Sequence, residues 1–318
     1  MEPRIDETLR LPALDGFELA ATLYEPAAGA GDGGPVVLIN SATAVRRGYY
    51  DGYARSLAAQ GFTALTWDYR GIGDSRPRSL VGFRARMRQW GEEDLAGILD
   101  WIADHLRPKR LLVVGHSVGG QLVGLAPNNH RVHALMIVGS QSAWWGHWPV
   151  PARYRMALTW FVTMPLVTRI HGYLPGRFGT KEDLPAGVAR EWARWGRRRT
   201  YLMESEELRA GFLRVRRPLL AYSFTDDDYA PRPAVEALLD FYSEADVYHR
   251  HLAPRDVGAE TIGHFGFFRD RFRDTLWRDS AAWLQRQALA PGASPSPTLH
   301  RGAGNGAPSR PELVVSFG

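Results

Sequence analysis

The chain has 318 residues, 45% of them apolar and 11 of them tryptophan, which excludes disorder over most of its length and allows one large or two small folded domains. It contains no cysteine, so disulfide frameworks, thiolate metal sites and cysteine nucleophiles are excluded. The formal net charge is +5, carried almost wholly by arginine spread along the chain with no nucleic-acid motif beside it, so no nucleic-acid partner is expected.

The N-terminus, M-E-P-R-I-D-E-T-L-R, has acids where a signal peptide needs an apolar core. Thr8 to Glu25 reads as two strands around Asp15-Gly16, a hairpin-turn pair. After a glycine-rich loop from Gly29 to Gly34, V-V-L-I-N (Val36 to Asn40) is a short apolar run of buried-strand type. Arg46 to Gln60 has helical spacing and stops before Gly61. Phe62 to Tyr69 reads as a strand and Trp90 to Leu106 as a helix, with apolar residues at Leu95, Ile98, Ile102 and Leu106. Further buried strands are expected at Leu111 to Val114, Ala134 to Val138, Leu219 to Ser223 and Asp246 to Leu252. Strand and helix alternating after an opening hairpin predicts a mostly parallel sheet covered on both faces.

Gln141 to Arg217 interrupts that alternation. It is rich in tryptophan and arginine and reads as helical, so it is expected to be an inserted lid. Its longest apolar run, Met156 to Thr168, contains Pro165 and falls short of the roughly 18 residues of a membrane span. The expected domains are therefore a core of residues 1–140 and 218–287, a lid of 141–217, and a disordered tail of 288–318 rich in Ala, Pro, Gly and Ser. A cytoplasmic protein without a membrane span is expected.

The strand at Leu111 runs straight into G-H-S-V-G, Gly115 to Gly119. Strand, Gly-x-Ser-x-Gly and helix in that order make a turn that strains the serine backbone and lifts its hydroxyl to the carboxyl end of the sheet. A glycine-rich strand-to-helix turn with no chemistry is the plainer alternative. Serine needs a base, and the base an orienting acid. Of the ten histidines, His264 in I-G-H-F-G-F-F-R follows the last strand and has glycines around it. It is the candidate base. A loop histidine packed among Phe265, Phe267 and Phe268 is the alternative. His249 and His251 share a face of the last strand, but no metal site is expected.

These motifs, with D-Y-R-G-I-G-D-S (Asp68 to Ser75) and S-F-T-D-D-D-Y-A-P (Ser223 to Pro231), resemble the α/β-hydrolase superfamily over roughly residues 8 to 287. More narrowly they resemble a bacterial group of predicted capped α/β hydrolases of serine esterase or lipase type. The resemblance implies an α/β-hydrolase fold and a serine, acid, histidine order. It places the acid four residues before a proline that opens a helix, hence Asp227, with Asp226 as the alternative. It implies an oxyanion hole of backbone N–H groups, from Val118 and from Ala42, with Thr43 as the alternative to Ala42. Asn40 and Ser41 stand where many relatives carry His-Gly. Trp144, Trp145, Trp148 and Trp160 are candidate substrate-binding residues in the lid, for an apolar acyl or aromatic group of a small-molecule ester.

The function so implied is a cofactor-free serine hydrolase of carboxylic esters acting through Ser117, Asp227 and His264. An acyltransferase or thioesterase with the same triad, and a non-catalytic binding protein on the same fold, are the alternatives. Oligomeric state is not legible.

Overall fold

The computed structural model describes residues 4–26 and 33–290. Compact units fall at Met1–Ala288 and Leu289–Gly318, and of the second only residues 289 and 290 are described. Apart from residues 288–290, the expected tail lies outside the described residues, as does most of the Gly29 to Gly34 loop. The last helix continues to Leu289, past the expected start of that tail.

Strands β1 (Arg4–Pro12) and β2 (Glu18–Glu25) form the antiparallel hairpin, turning at Gly16 with φ +83°. Six more strands follow: β3 (Val36–Asn40), β4 (Thr63–Trp67), β5 (Leu111–His116), β6 (Ala134–Val138), β7 (Pro218–Phe224) and β8 (Asp246–Leu252). All eight join one sheet in the order β1-β2-β4-β3-β5-β6-β7-β8, with every pair parallel from β4 onward. The chain leaves β3 toward β4 on one side and returns to β5 on the other. The crevice beyond the carboxyl ends of β3 and β5 is thus the switch point where open sheets of this kind take ligands.

The apolar runs are continuous because both faces are covered. Along β3, Val36 and Leu38 enter one core and Val37 and Ile39 the other, the period of two that a pleated strand imposes. The first face packs against α2 (residues 90–106), α3 (Val118–Leu125) and α7 (Arg232–Leu239). The second packs against α1 (Asp51–Ala59) and α8 (Arg278–Leu289). Each fully buried Leu, Ile or Val contributes about 1.5–3 kcal/mol against its exposed state. Two expected helices differ in detail. The helix expected from Arg46 opens as a 3₁₀ turn, Arg47–Tyr50, and α2 has π-helical turns at both ends, Trp90–Leu95 and Ile102–Leu106.

Residues 141–217 lie in the same compact unit as the sheet. They carry α4 (residues 152–171), α5 (Ala186–Gly196) and α6 (Glu206–Leu213), with a short antiparallel pair, Tyr173–Leu174 and Leu184–Pro185. The D-Y-R-G-I-G-D-S segment works as a brace. Arg70, only 3% exposed, holds Asp15 of the hairpin turn and Asp94 of α2, and burial pushes the Asp94 carboxyl up to about 7.

Candidate active site

Ser117 stands between β5 and α3 with φ 53° and ψ −118°, a strained conformation for a residue with a Cβ. The turn closes because its neighbours are small. A Cβ on Gly115 would lie 2.4 Å from the Gly120 nitrogen, and one on Gly119 2.4 Å from the Asn40 carbonyl oxygen. Asn40 Nδ2 also donates to the Gly119 carbonyl at 3.2 Å, tying the end of β3 to the start of α3. As the first residue of α3, Val118 has a backbone N–H with no acceptor inside the helix.

The three adjacent aspartates divide sharply. Asp227 is 4% exposed, and its Oδ2 lies 2.8 Å from His264 Nδ1. Its Oδ1 accepts the backbone N–H groups of Tyr229 and Ala230, each at 2.9 Å, which fixes the carboxylate plane. Asp226 turns the other way, and its Oδ2 accepts the N–H groups of Ile262 and Gly263 at 2.8 and 3.0 Å. It thereby moors the segment that carries His264. Asp228 is exposed; only its backbone carbonyl is engaged, by Trp148 Nε1 at 2.9 Å.

His264 is 7% exposed and lies in a helical turn, Gly263–Gly266. A carboxylate at Nδ1 holds the proton there and leaves Nε2 as the basic nitrogen. Among the described residues no hydrogen bond joins Nε2 to the Ser117 hydroxyl. Such bonds are often long before substrate binds. Gly139, just after β6 with φ +58°, lies under the pair. A Cβ there would come within 3.2 Å of both Asp227 Oδ2 and His264 Nδ1. Gly139→Ala is therefore expected to lower turnover with little change in KM, measured against the parent protein on one ester substrate.

The expectation for Ala42 as second oxyanion donor does not hold in this geometry. The Ala42 N–H already donates to the Tyr50 hydroxyl at 2.8 Å. Val45 N–H reaches back to the Ala42 carbonyl, and Thr43 makes no hydrogen bond among the described residues. Its hydroxyl is buried without a partner. Between Ala42 and Thr43, it is therefore the Thr43 N–H that is left open while that of Ala42 is engaged.

The same contact opens a chain that the sequence does not reveal. Having accepted from Ala42, the Tyr50 hydroxyl donates to His116 Nδ1 at 2.8 Å. His116 Nε2 must then carry the proton, and it donates to the His264 carbonyl at 2.9 Å. The Ala42 loop and the His264 turn are therefore joined through two side chains that are 0% exposed. Burial, and then the His264 charge nearby, push the His116 pKa well below its ordinary value. A histidine held neutral in the fold ionises in the unfolded chain at about 6.5. Its contribution to stability is present above that pH and is lost as pH falls below it, because the unfolded state then binds more protons. Urea unfolding between pH 7.5 and about 5 should show this loss in the parent. His116→Gln should shallow the slope by up to one proton, about 1.4 kcal/mol per pH unit.

The four tryptophans separate. Trp160 is 2% exposed, packs on the Trp192 ring with centroids 4.9 Å apart, and presses on Gly196. It is interior to the inserted segment and leaves little surface to meet a substrate. Trp148, 3% exposed, is bonded to the Asp228 carbonyl. Trp144 and Trp145 are half-buried, their ring centroids 6.1 Å apart. His249 Nε2 and His251 Nδ1 both meet Ser223 Oγ at 2.7 Å. Among the described residues no group of three or more His, Cys, Asp or Glu could hold a metal ion, and no helix is long and apolar enough to cross a membrane.

A family described as "alpha/beta hydrolase fold" matches residues 34–161. The quorum-quenching protein AidA of Acinetobacter baumannii (strain MDR-ZJ06) is 28% identical over 104 residues, 32% of this chain and 33% of AidA, so the likeness spans about one third of that relative. The esterase EaEST from Exiguobacterium antarcticum superposes with a TM-score of 0.55 at 15% identity, covering 88% of this chain and 100% of that one. Est1E from Butyrivibrio proteoclasticus, solved with ferulic acid bound, does so with a TM-score of 0.58 at 14% identity, covering 89% and 100%. At such identities the likeness is one of fold. With this sheet order, and with the family match running from β3 through the turn at Ser117, the chain has the α/β-hydrolase fold.

Proposed function

We propose that the chain is a serine hydrolase of carboxylic esters, with Ser117 as nucleophile, His264 as base and Asp227 as orienting acid. The observation that carries this reading is the buried Asp227–His264 pair, 2.8 Å apart, at the same sheet edge as the strained turn of Ser117.

On this reading His264 Nε2 takes the Ser117 proton as Oγ attacks the ester carbonyl carbon. The imidazolium so formed is stabilised by Asp227, which keeps its own charge. The carbonyl oxygen becomes an oxyanion facing the N–H groups of Val118 and Thr43, with the N-terminal end of α3 adding its dipole. His264 then protonates the leaving alcohol as the C–O bond breaks, leaving an acyl-enzyme on Ser117. Water, deprotonated by His264, attacks that ester, and collapse returns the proton to Ser117 and releases the acid. Tyr50 and His116 are positioning residues here, holding the His264 backbone and the loop that bears Thr43.

Residues 141–217 act as a cap, with Trp148 fastening them to the acid loop through Asp228. Trp144 and Trp145 keep enough open surface to meet an apolar acyl or aromatic group. Nitrophenyl esters of increasing acyl length test the reading. Hydrolysis with a preference among short or medium chains is expected, and activity confined to peptides or thioesters overturns it. The partial likeness to AidA adds a quorum-quenching assay to that panel.

A further inference from the structure

Helix α4 turns a stripe of large apolar side chains to solvent. Tyr154, Leu158, Phe161, Val162, Leu166 and Ile170 are between 48% and 67% exposed, while Trp160, Met164 and Val167 bury the opposite face. Five of the six recur every fourth residue. In an α-helix that spacing drifts by about 40° per step and would wind the stripe around the axis. The π-helical turn Thr159–Thr163 takes more residues per turn and cancels part of the drift. The stripe therefore stays on one side for the length of the helix, about 30 Å at 1.5 Å per residue.

Its charge is of one sign. The sequence has no Asp or Glu between Asp104 and Glu182. Arg155, Arg169 and Arg177 are exposed and make no ion pair among the described residues. The next acids along the chain are already engaged: Glu182 by Arg46, Asp183 by Arg76, Glu191 by Arg88, and Glu204 by Arg194 and Arg198. An exposed apolar stripe of this size marks a surface that meets something. A second copy related by two-fold symmetry would set the same arginines against each other with no free acid between them. An anionic lipid surface supplies both an apolar boundary and phosphates.

We propose that α4 docks lengthwise on an anionic lipid surface. The apolar stripe enters the boundary between headgroups and acyl chains, and Arg155, Arg169 and Arg177 pair with lipid phosphates. The docking does not depend on the proposed chemistry, so Ser117→Ala should bind as the parent does.

Co-sedimentation of the full chain with phosphatidylcholine vesicles, with and without phosphatidylglycerol, tests this. Binding is expected only to the vesicles with phosphatidylglycerol. It should weaken about five-fold in each of Arg155→Gln and Arg169→Gln. It should be lost in a combined Leu158→Ser, Val162→Ser, Leu166→Ser variant whose Tm matches the parent's. Failure to bind either vesicle, or equal binding to both, overturns the proposal. So does a dimer that the serine variant dissociates, which would assign the stripe to a second copy. A marked fall in that variant's Tm would show the stripe covered by the chain's own residues and would overturn the proposal as well.

Discussion

Ser117→Ala is expected to lower ester turnover by about 10⁶-fold while leaving the fold and its Tm close to the parent's. The size follows from the division of labour proposed for the site. Without the hydroxyl no acyl-enzyme forms, and the two backbone donors can only assist attack by water. The fold is spared because Ser117 Oγ makes no hydrogen bond that holds the turn together. Removing Oγ also leaves the Asn40 contact to Gly119 intact. His264→Ala should cost about as much, since neither residue acts without the other. Stopped-flow release of nitrophenol separates the losses: a burst of product in the parent and none in either variant.

The second large effect concerns the aspartates. Asp227→Asn is expected to lower turnover by about 10⁴ with KM little changed. The amide keeps the shape but can present an N–H to His264 Nδ1, which then shifts its proton to Nε2, the nitrogen that has to accept one. Asp226→Asn should behave differently. Its oxygen can still accept from Ile262 and Gly263, so only the strength of that mooring changes. A loss of a few-fold, with a small fall in Tm, is expected. Asp228→Asn should be near neutral, because that side chain faces solvent. Rates for the three variants across one pH range rank them directly, and equal effects at Asp226 and Asp227 would contradict the assignment.

Much of this was readable from the sequence because it rests on local chemistry. The buried strands read as short apolar runs, since strands covered on both faces leave no polar side. G-H-S-V-G after such a strand pointed to Ser117 as the nucleophile now proposed, and the resemblance, counted back from Pro231, pointed to Asp227 as the proposed acid. His264 emerged because few histidines follow the last strand. What stayed hidden depends on residues distant in sequence that fold together. Nothing around Ala42 announces that a tyrosine eight residues on, delivered by a 3₁₀ turn, would take its N–H. Nor does anything around His116 announce its reach to the His264 carbonyl, which spans 148 residues. Trp160 and Trp144 look alike in a run of tryptophans. Only packing distinguishes the one against Trp192 and Gly196 from the one left half open. Asp226 was a candidate acid by position, and its role in mooring residues 262–263 needed the fold.

Whether Ser117 is an activated nucleophile is measured directly by labelling with a fluorophosphonate followed by peptide mapping. One phosphonate per chain is predicted, on the peptide that contains Ser117. It should be absent in Ser117→Ala and strongly slowed in Asp227→Asn. An unlabelled Ser117 in protein that still hydrolyses esters, or a label on another residue, would contradict the account.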